Sequence, residues 1–196
     1  MHAYSATDTR LKAYGLLASL AVVVAWGANG VAVWLGLGPA WLVSAPTVAA
    51  SFYLLHRLTD VAAWRWSAAR RAGLIATPLI DGLYDGHLVS SYDRNRQIPI
   101  MLTVSQTWTR IYVEMEVTGT RTSWSESVAA ALTPRGHTGA RLTYTYKNKV
   151  QPATADADMH DHDGTADLDF DIPGGTVTGR YFNARGRVGD VHLVKR

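Results

Sequence analysis

Between Lys12 and Arg57 the chain carries no charged side chain, whereas beyond position 73 apolar and polar residues alternate. Two unlike regions follow. The first apolar run, 14–37, is long enough to cross a hydrocarbon core of about 30 Å at about 1.5 Å per residue. Gly36-Leu37-Gly38-Pro39 breaks that run, and a second one, 41–58, ends in His56-Arg57, where an Arg can snorkel toward headgroups. The pattern predicts a two-helix transmembrane hairpin over 13–58. A buried helical hairpin in a soluble protein is the competing reading, but soluble folds rarely leave so long a stretch uncharged.

After a linker the period becomes two. Ile98, Ile100, Leu102 and Val104 alternate with polar or turn-tolerant neighbours, as do Ile111, Val113, Met115 and Val117. The same holds for Leu142, Tyr144 and Tyr146, for Ala166, Leu168 and Phe170, and for Val177, Gly179 and Tyr181. Such alternation marks strands with one buried face. With 83–91, 122–132 and 188–195 added, and turns read at Thr133-Pro134-Arg135-Gly136 and Pro173-Gly174-Gly175, the count is eight strands. That predicts an all-β, eight-stranded antiparallel up-and-down barrel of lipocalin or streptavidin type, with a sandwich as the alternative. Tyr84 near its start, with Arg185 and Arg187 near the last strand, suggests an end closed by an aromatic under an Arg. The expected organisation is a cytoplasmic tail (1–12), the hairpin (13–58), a juxtamembrane linker (59–78) and a cytoplasmic ligand-sensing barrel (79–196).

Charge sharpens the division. The net of +3 comes from Arg10, Lys12, Arg57, Arg65, Arg70 and Arg71, which flank the apolar runs and outnumber Asp8 and Asp60; the rest of the chain is slightly acidic. These cations form a membrane belt rather than a nucleic-acid face, so no polymeric nucleic acid is expected. They lie outside both spans and not between them, which predicts a multi-pass protein with both termini cytoplasmic. With no cysteine, thiolate catalysis and Cys-ligated zinc are excluded.

Inside the spans, Asn29 is the strongly polar residue, flanked by Gly27 and Gly30. Small residues with an Asn pack helices closely, either within one hairpin or between copies. No nucleophile elbow, zinc-protease or phosphate-loop motif occurs, so an enzyme is not expected. No cofactor is expected either. Met159-His160-Asp161-His162-Asp163 is the richest ligand cluster, but it reads as a solvated acidic loop rather than a metal site. The aromatic and hydroxyl residues of the strands carry more. Trp108, Ser123, Ser125, Tyr144, Tyr146, Asn148 and Tyr181 combine stacking faces with groups that bind base edges and phosphates. The alternative is that the rings fill a small core while the serines face solvent.

The order of these features resembles the SMODS-associating two-transmembrane, β-strand-rich effectors of CBASS anti-phage defence. The matching elements are the two spans, Gly82-x-Tyr84-x-Gly86, Gln106-Thr107-Trp108, Thr122-Ser123-x-Ser125-x-Ser127 and Leu142-x-Tyr144-x-Tyr146-x-Asn148. Asp163-Gly164-Thr165-Ala166-x-Leu168 and Gly179-x-Tyr181-x-x-x-Arg185-x-x-x-Gly189 complete the set. The chain departs from the family pattern at Tyr84, where a Trp is expected, and at Asn148-Lys149, where Asn-Pro is expected. The resemblance implies a sensor in the bacterial inner membrane. Its barrel would bind a cyclic oligonucleotide, in particular a cyclic dinucleotide, made by a partner nucleotidyltransferase. Binding would drive homo-oligomerisation of the spans, disrupt the bilayer and kill the infected cell. A dianionic ligand needs local cations; of Arg110, Arg180 and Arg185, the last sits in a turn near the barrel mouth and is the best candidate. The rival readings are a membrane-anchored lipocalin-like binder of an apolar molecule and a non-catalytic scaffold.

Overall fold

The computed structural model describes all residues except 7–9, 37–39, 92, 119–122, 137 and 151–159, and gives the backbone alone for 40–46 and 93–95. The chain divides into two compact units, Asp8–Ala76 and the combination of Met1–Thr7 with Thr77–Arg196.

The first unit is helical: α1 (Arg10–Trp34), α2 (Ala40–Val61), a 3-10 turn at Ala63–Arg65 and the short α3 (Ser67–Arg71). The α1 and α2 helices are antiparallel neighbours. Tyr14 near the start of α1 stacks on His56 near the end of α2, with ring centroids 5.7 Å apart. Residues four apart lie on one helix face, and Ala13, Leu17, Ala21 and Ala25 form the buried stripe of α1. Leu20, Val23, Trp26 and Val31 are exposed. A helix that shows apolar side chains all round suits a lipid solvent rather than water. By length and composition, α1 can cross a membrane. It ends where Gly36 takes a φ of 71°, the left-handed conformation that stops helices. The rest of the expected break lies outside the described residues.

The second unit is a closed β-barrel. Its strands are β1 (His2–Ala6), β2 (Gly82–Ser90), β3 (Asp93–Gln106), β4 (Arg110–Val117), β5 (Ser123–Arg135), β6 (Gly139–Val150), β7 (His162–Asp171), β8 (Thr176–Asn183) and β9 (Val188–Lys195). From β2 to β9 each strand pairs antiparallel with the next. The ring closes between β9 and β2, from Tyr84–Lys195 to Ser90–Gly189. The alternating apolar positions point inward: Leu102, Ile111, Leu142, Leu168 and Val177 are fully buried. Each such side chain contributes roughly 1.5–3 kcal/mol on leaving water.

Three expectations need correction. The barrel has nine strands among the described residues, not eight, and the ninth comes from within the expected cytoplasmic tail. Residues His2 and Ala3 pair antiparallel with Ile111 and Arg110 of β4, and Tyr4 to Ala6 pair with Ala130 to Leu132 of β5. That second pairing is parallel, so the sheet is not wholly antiparallel. Five residues are too few for a period-two pattern to stand out beside a long apolar run. The turn expected at Thr133-Pro134-Arg135-Gly136 begins later, because β5 continues through Arg135 and Gly136 supplies the positive φ of 62°. Pro134 is tolerated because it sits at the strand's end.

Candidate functional site

The two ends of the barrel differ. At one end, where β2 begins and β3 finishes, the polar atoms bond to one another. The Tyr4 hydroxyl donates to the Trp108 carbonyl at 3.0 Å. Gln106 donates through Nε2 to Tyr4 Oη at 3.2 Å and to the Pro78 carbonyl at 3.0 Å, and its Oε1 accepts from Ile80 N–H. The Tyr84 hydroxyl donates to the Ile80 carbonyl at 2.7 Å, and its ring meets Phe170 edge-on at 5.5 Å. Burial, with help from Asp81, pushes the Tyr84 phenol up to about 12. This end is plugged. The cation over Tyr84 is Lys195, with Nζ 5.6 Å from the ring centroid, not Arg185 or Arg187, which belong to the β8–β9 turn at the opposite end. The expected aromatic-under-Arg closure fails for that reason.

At the other end, inward positions stay partly open: Met115, Val117, Asn148, His162 and Asn183 are half-buried. Here the register brings Ser125 of β5 opposite Met115 of β4 and Asn148 of β6. Asn148 in turn lies opposite His162. Ser123 and Ser125 are buried on the inner face. Tyr146 lies opposite Gly164, and Tyr181 opposite Gly189. A Cβ added at Gly164 would collide with the Tyr146 ring, and one at Gly189 with the Tyr181 ring. Each tyrosine is therefore laid flat against a neighbouring strand that has no side chain there, which fixes the direction of its face.

Deeper in, the rings of Tyr144 and Tyr146 are 6.1 Å apart. The Tyr144 hydroxyl is buried without a hydrogen-bond partner. Leaving a buried hydroxyl unpaired costs about 1–3 kcal/mol, a deficit that a ligand group or solvent could remove. Burial, then the neighbouring phenol, raises the pKa of both Tyr144 and Tyr146; for Tyr146 that neighbour is Tyr181. Both therefore remain neutral hydrogen-bonding groups at physiological pH. Arg185 is exposed in the β8–β9 turn. That turn is organised by Asn183, whose Oδ1 accepts from the N–H groups of Arg185 (3.1 Å) and Arg187 (3.0 Å). It is fastened to β7 by Ala184 N–H donating to the Asp163 carbonyl at 2.9 Å.

Residues 75–195 match the family model described as Cap15, cyclic dinucleotide receptor domain. The chain belongs to this family. No curated protein matches it. The Cap15 domain thus takes in β2 to β9, while β1 and both long helices precede it. Membership supports the CBASS effector class and a cyclic oligonucleotide as the ligand.

Of the expected site residues, Ser123, Ser125, Tyr146, Asn148, Tyr181 and Arg185 gather at the open end of the Cap15 barrel. Tyr144 lies below them. Trp108 lies apart from them, buried at the plugged end. Arg180 points outward, 3.3 Å from Asp190, and Arg110 is exposed on β4. His162, Asn183, Gly164 and Gly189 were not picked out as site residues. The two glycines stood in the family motifs, but only the register shows that they seat tyrosines. In the helical unit, Gly27 and Gly30 face open space, while Asn29 continues the buried stripe after Ala25 at the same spacing. Asn29 Oδ1 is buried without a partner. His162 Nδ1–H donates to the His160 carbonyl at 3.0 Å, and Asp161 accepts from Val150 N–H. Met159 lies outside the described residues. No group of three or more metal-binding side chains occurs among the described residues.

Proposed function

We propose that this chain is a non-catalytic, two-pass effector of the bacterial inner membrane whose barrel binds a cyclic dinucleotide at its open end. The observation that carries the reading is the convergence of Tyr146, Tyr181, Ser123, Ser125 and Asn148 at one end of a domain of the Cap15 receptor family. Tyr146 and Tyr181 are buried and seated against glycines; the ring faces turned away from the glycines are the ones on which two entering bases stack, at about 1–3 kcal/mol each. Serine hydroxyls and the Asn amide bind base edges, and Arg185 supplies charge for a phosphate.

The membrane arrangement draws support from topology. Strand β1 precedes α1 and pairs with β4 and β5, so the segments before and after the helices lie on one side of any bilayer. This supports an even number of crossings for the chain between them. If α1 crosses, α2 returns. With the basic flanks of both spans, this favours cytoplasmic termini. Ligand binding then promotes association of copies through the spans, with Gly27 and Gly30 open to a neighbouring helix, and the assembled helices disrupt the bilayer and kill the infected cell.

The test is a calorimetric titration of the full chain in lipid nanodiscs with a panel of cyclic di- and trinucleotides. One cyclic dinucleotide should bind selectively, and Arg185→Ala should weaken it tenfold or more without lowering the melting temperature. Silence across the panel from a folded chain would overturn the sensor reading, and unchanged affinity in Arg185→Ala would remove that residue from the site.

A further inference from the structure

The seam between β4 and β5 is forked. The two strands pair directly only near the open end, at Glu114–Glu126, Met115–Ser125 and Glu116–Trp124. Below that point β1 lies between them. Ser127 stands at the fork. Its Oγ accepts from the backbone N–H of Val113 at 2.9 Å and lies 2.8 Å from Nε2 of His2. A side chain thus replaces the ladder where β4 and β5 separate, and the tip of β1 is tied to it. The next register step of β5 is a bulge between Ser127 and Ala129, where strands bend and pairing stops.

Ser127 continues the inward row of Ser123 and Ser125, and it lies opposite Tyr146. The fork is therefore part of the wall of the proposed ligand site. At its other end β1 leads into α1 through residues 7–9 alone. We propose that β1 is the transmission strand: ligand at the open end extends β4–β5 pairing down the seam, expels His2–Ala6, and so frees α1. The inference rests on the sensor reading above and adds its regulation.

The exchange has a definite cost, because withdrawing Tyr4 takes its hydroxyl from the Trp108 carbonyl and from Gln106, and ligand binding has to supply it. Continued in its register, β4–β5 pairing brings β4 near Ile111 opposite the part of β5 just past the bulge, so some of the backbone pairing lost with β1 is recovered. Only Tyr4 of β1 is fully buried. Short elements with few buried groups are the ones that open locally, and a discrete strand with two arrangements is what a switch requires.

The test uses a cross-link. The chain has no cysteine, so Ala3→Cys with Arg110→Cys creates a single possible disulfide. These residues are register partners, and both face outward. Arg110 turns its backbone toward Thr107, receiving that N–H at 2.8 Å. The Ala3–Arg110 pair is thus not hydrogen-bonded across the seam, the geometry in which Cα atoms approach to about 4.5 Å and a disulfide fits. The full-length double variant, reconstituted in liposomes, is assayed oxidised and reduced for cyclic dinucleotide binding and for dye release.

The expected result is affinity within about threefold in both forms, with ligand-driven release at least tenfold lower when oxidised and restored by reductant. Equal release from both forms overturns the transmission role while leaving the sensor intact. Absence of binding in the reduced form overturns the sensor reading and this inference with it. As a check independent of the cross-link, His2→Ala should lower the ligand concentration for half-maximal release about three- to tenfold; an unchanged threshold excludes His2 as the anchor.

Discussion

The plugged and open ends of the barrel are built from the same residue types, yet they do opposite things. At the plugged end, Gln106 donates to Tyr4, Tyr4 donates to the Trp108 carbonyl, Tyr84 donates to the Ile80 carbonyl, and the Trp108 side chain is fully buried. At the open end, Tyr146 and Tyr181 rest on glycines, Tyr144 keeps an unpaired hydroxyl, and neighbouring inward positions remain half-exposed. A polar aromatic group whose bonds are satisfied internally is architecture; one left unsatisfied and held in place is available to a ligand. Satisfaction, not residue identity, separates the two ends.

The largest effect should come from breaking the plug. Trp108→Ala removes a fully buried ring and should cost about 3–5 kcal/mol of barrel stability, read by denaturant unfolding. Ligand affinity of the molecules that remain folded should change little. A specific loss of affinity with normal stability would put Trp108 back in the binding site.

Next comes the open end. Gly189→Ala places a Cβ inside the present position of the Tyr181 ring. Overpacking of this kind costs about 1–3 kcal/mol. The added Cβ also stands 2.5 Å from the Val89 backbone carbonyl, so the β2–β9 pair must shift as well as the ring, and stability and affinity should both fall. If binding survives, Tyr181 is core filling, the alternative that the sequence leaves open.

Alkaline titration tests both ends at once. Tyr84 has its phenol pushed up to about 12, and Tyr144 and Tyr146 are raised as well. The unfolded chain releases these protons near pH 10, while the folded one holds them. Stability is therefore fully present below pH 10 and falls as pH climbs toward the folded values, by up to about 1.4 kcal/mol per pH unit for each such group. Phenolate absorbance should rise in two steps, with these three of the nine tyrosines appearing only on unfolding. A single step near pH 10 in a still-folded protein would mean that the rings are wet.

Much of the barrel was legible because period-two alternation survives in the strands β2 to β9, and because turn residues punctuate them. The plug was not legible, since Tyr4 and Trp108 are more than a hundred positions apart and meet only through closure. The same limit hid β1, whose five residues gain meaning from a gap between β4 and β5. Arg185 was placed correctly at the mouth because a turn position is a local property. Its supposed partner Tyr84 was not, because which end a strand begins on depends on the whole meander. Gly164 and Gly189 show the intermediate case: visible as motif positions, explicable only once the register sets them beneath Tyr146 and Tyr181.

The smallest predicted change is the sharpest test of the comparison. Tyr144→Phe deletes only the unpaired hydroxyl and keeps the ring against Tyr146. Removing a buried donor that has no partner should leave stability unchanged or raise it by about 1 kcal/mol, since the desolvation cost disappears with the group. The equivalent change at the plug, Tyr84→Phe, strips a satisfied bond to the Ile80 carbonyl and should lower stability by about 1 kcal/mol or more. The two substitutions are chemically identical, so opposite signs in unfolding free energy would isolate hydrogen-bond satisfaction as the variable. If the Tyr144 hydroxyl serves a ligand, the Phe variant should also bind cyclic dinucleotide several-fold more weakly while being the more stable protein. Matching losses at both positions would mean that Tyr144 has an ordered water partner and that the open end is, in this respect, a second plug.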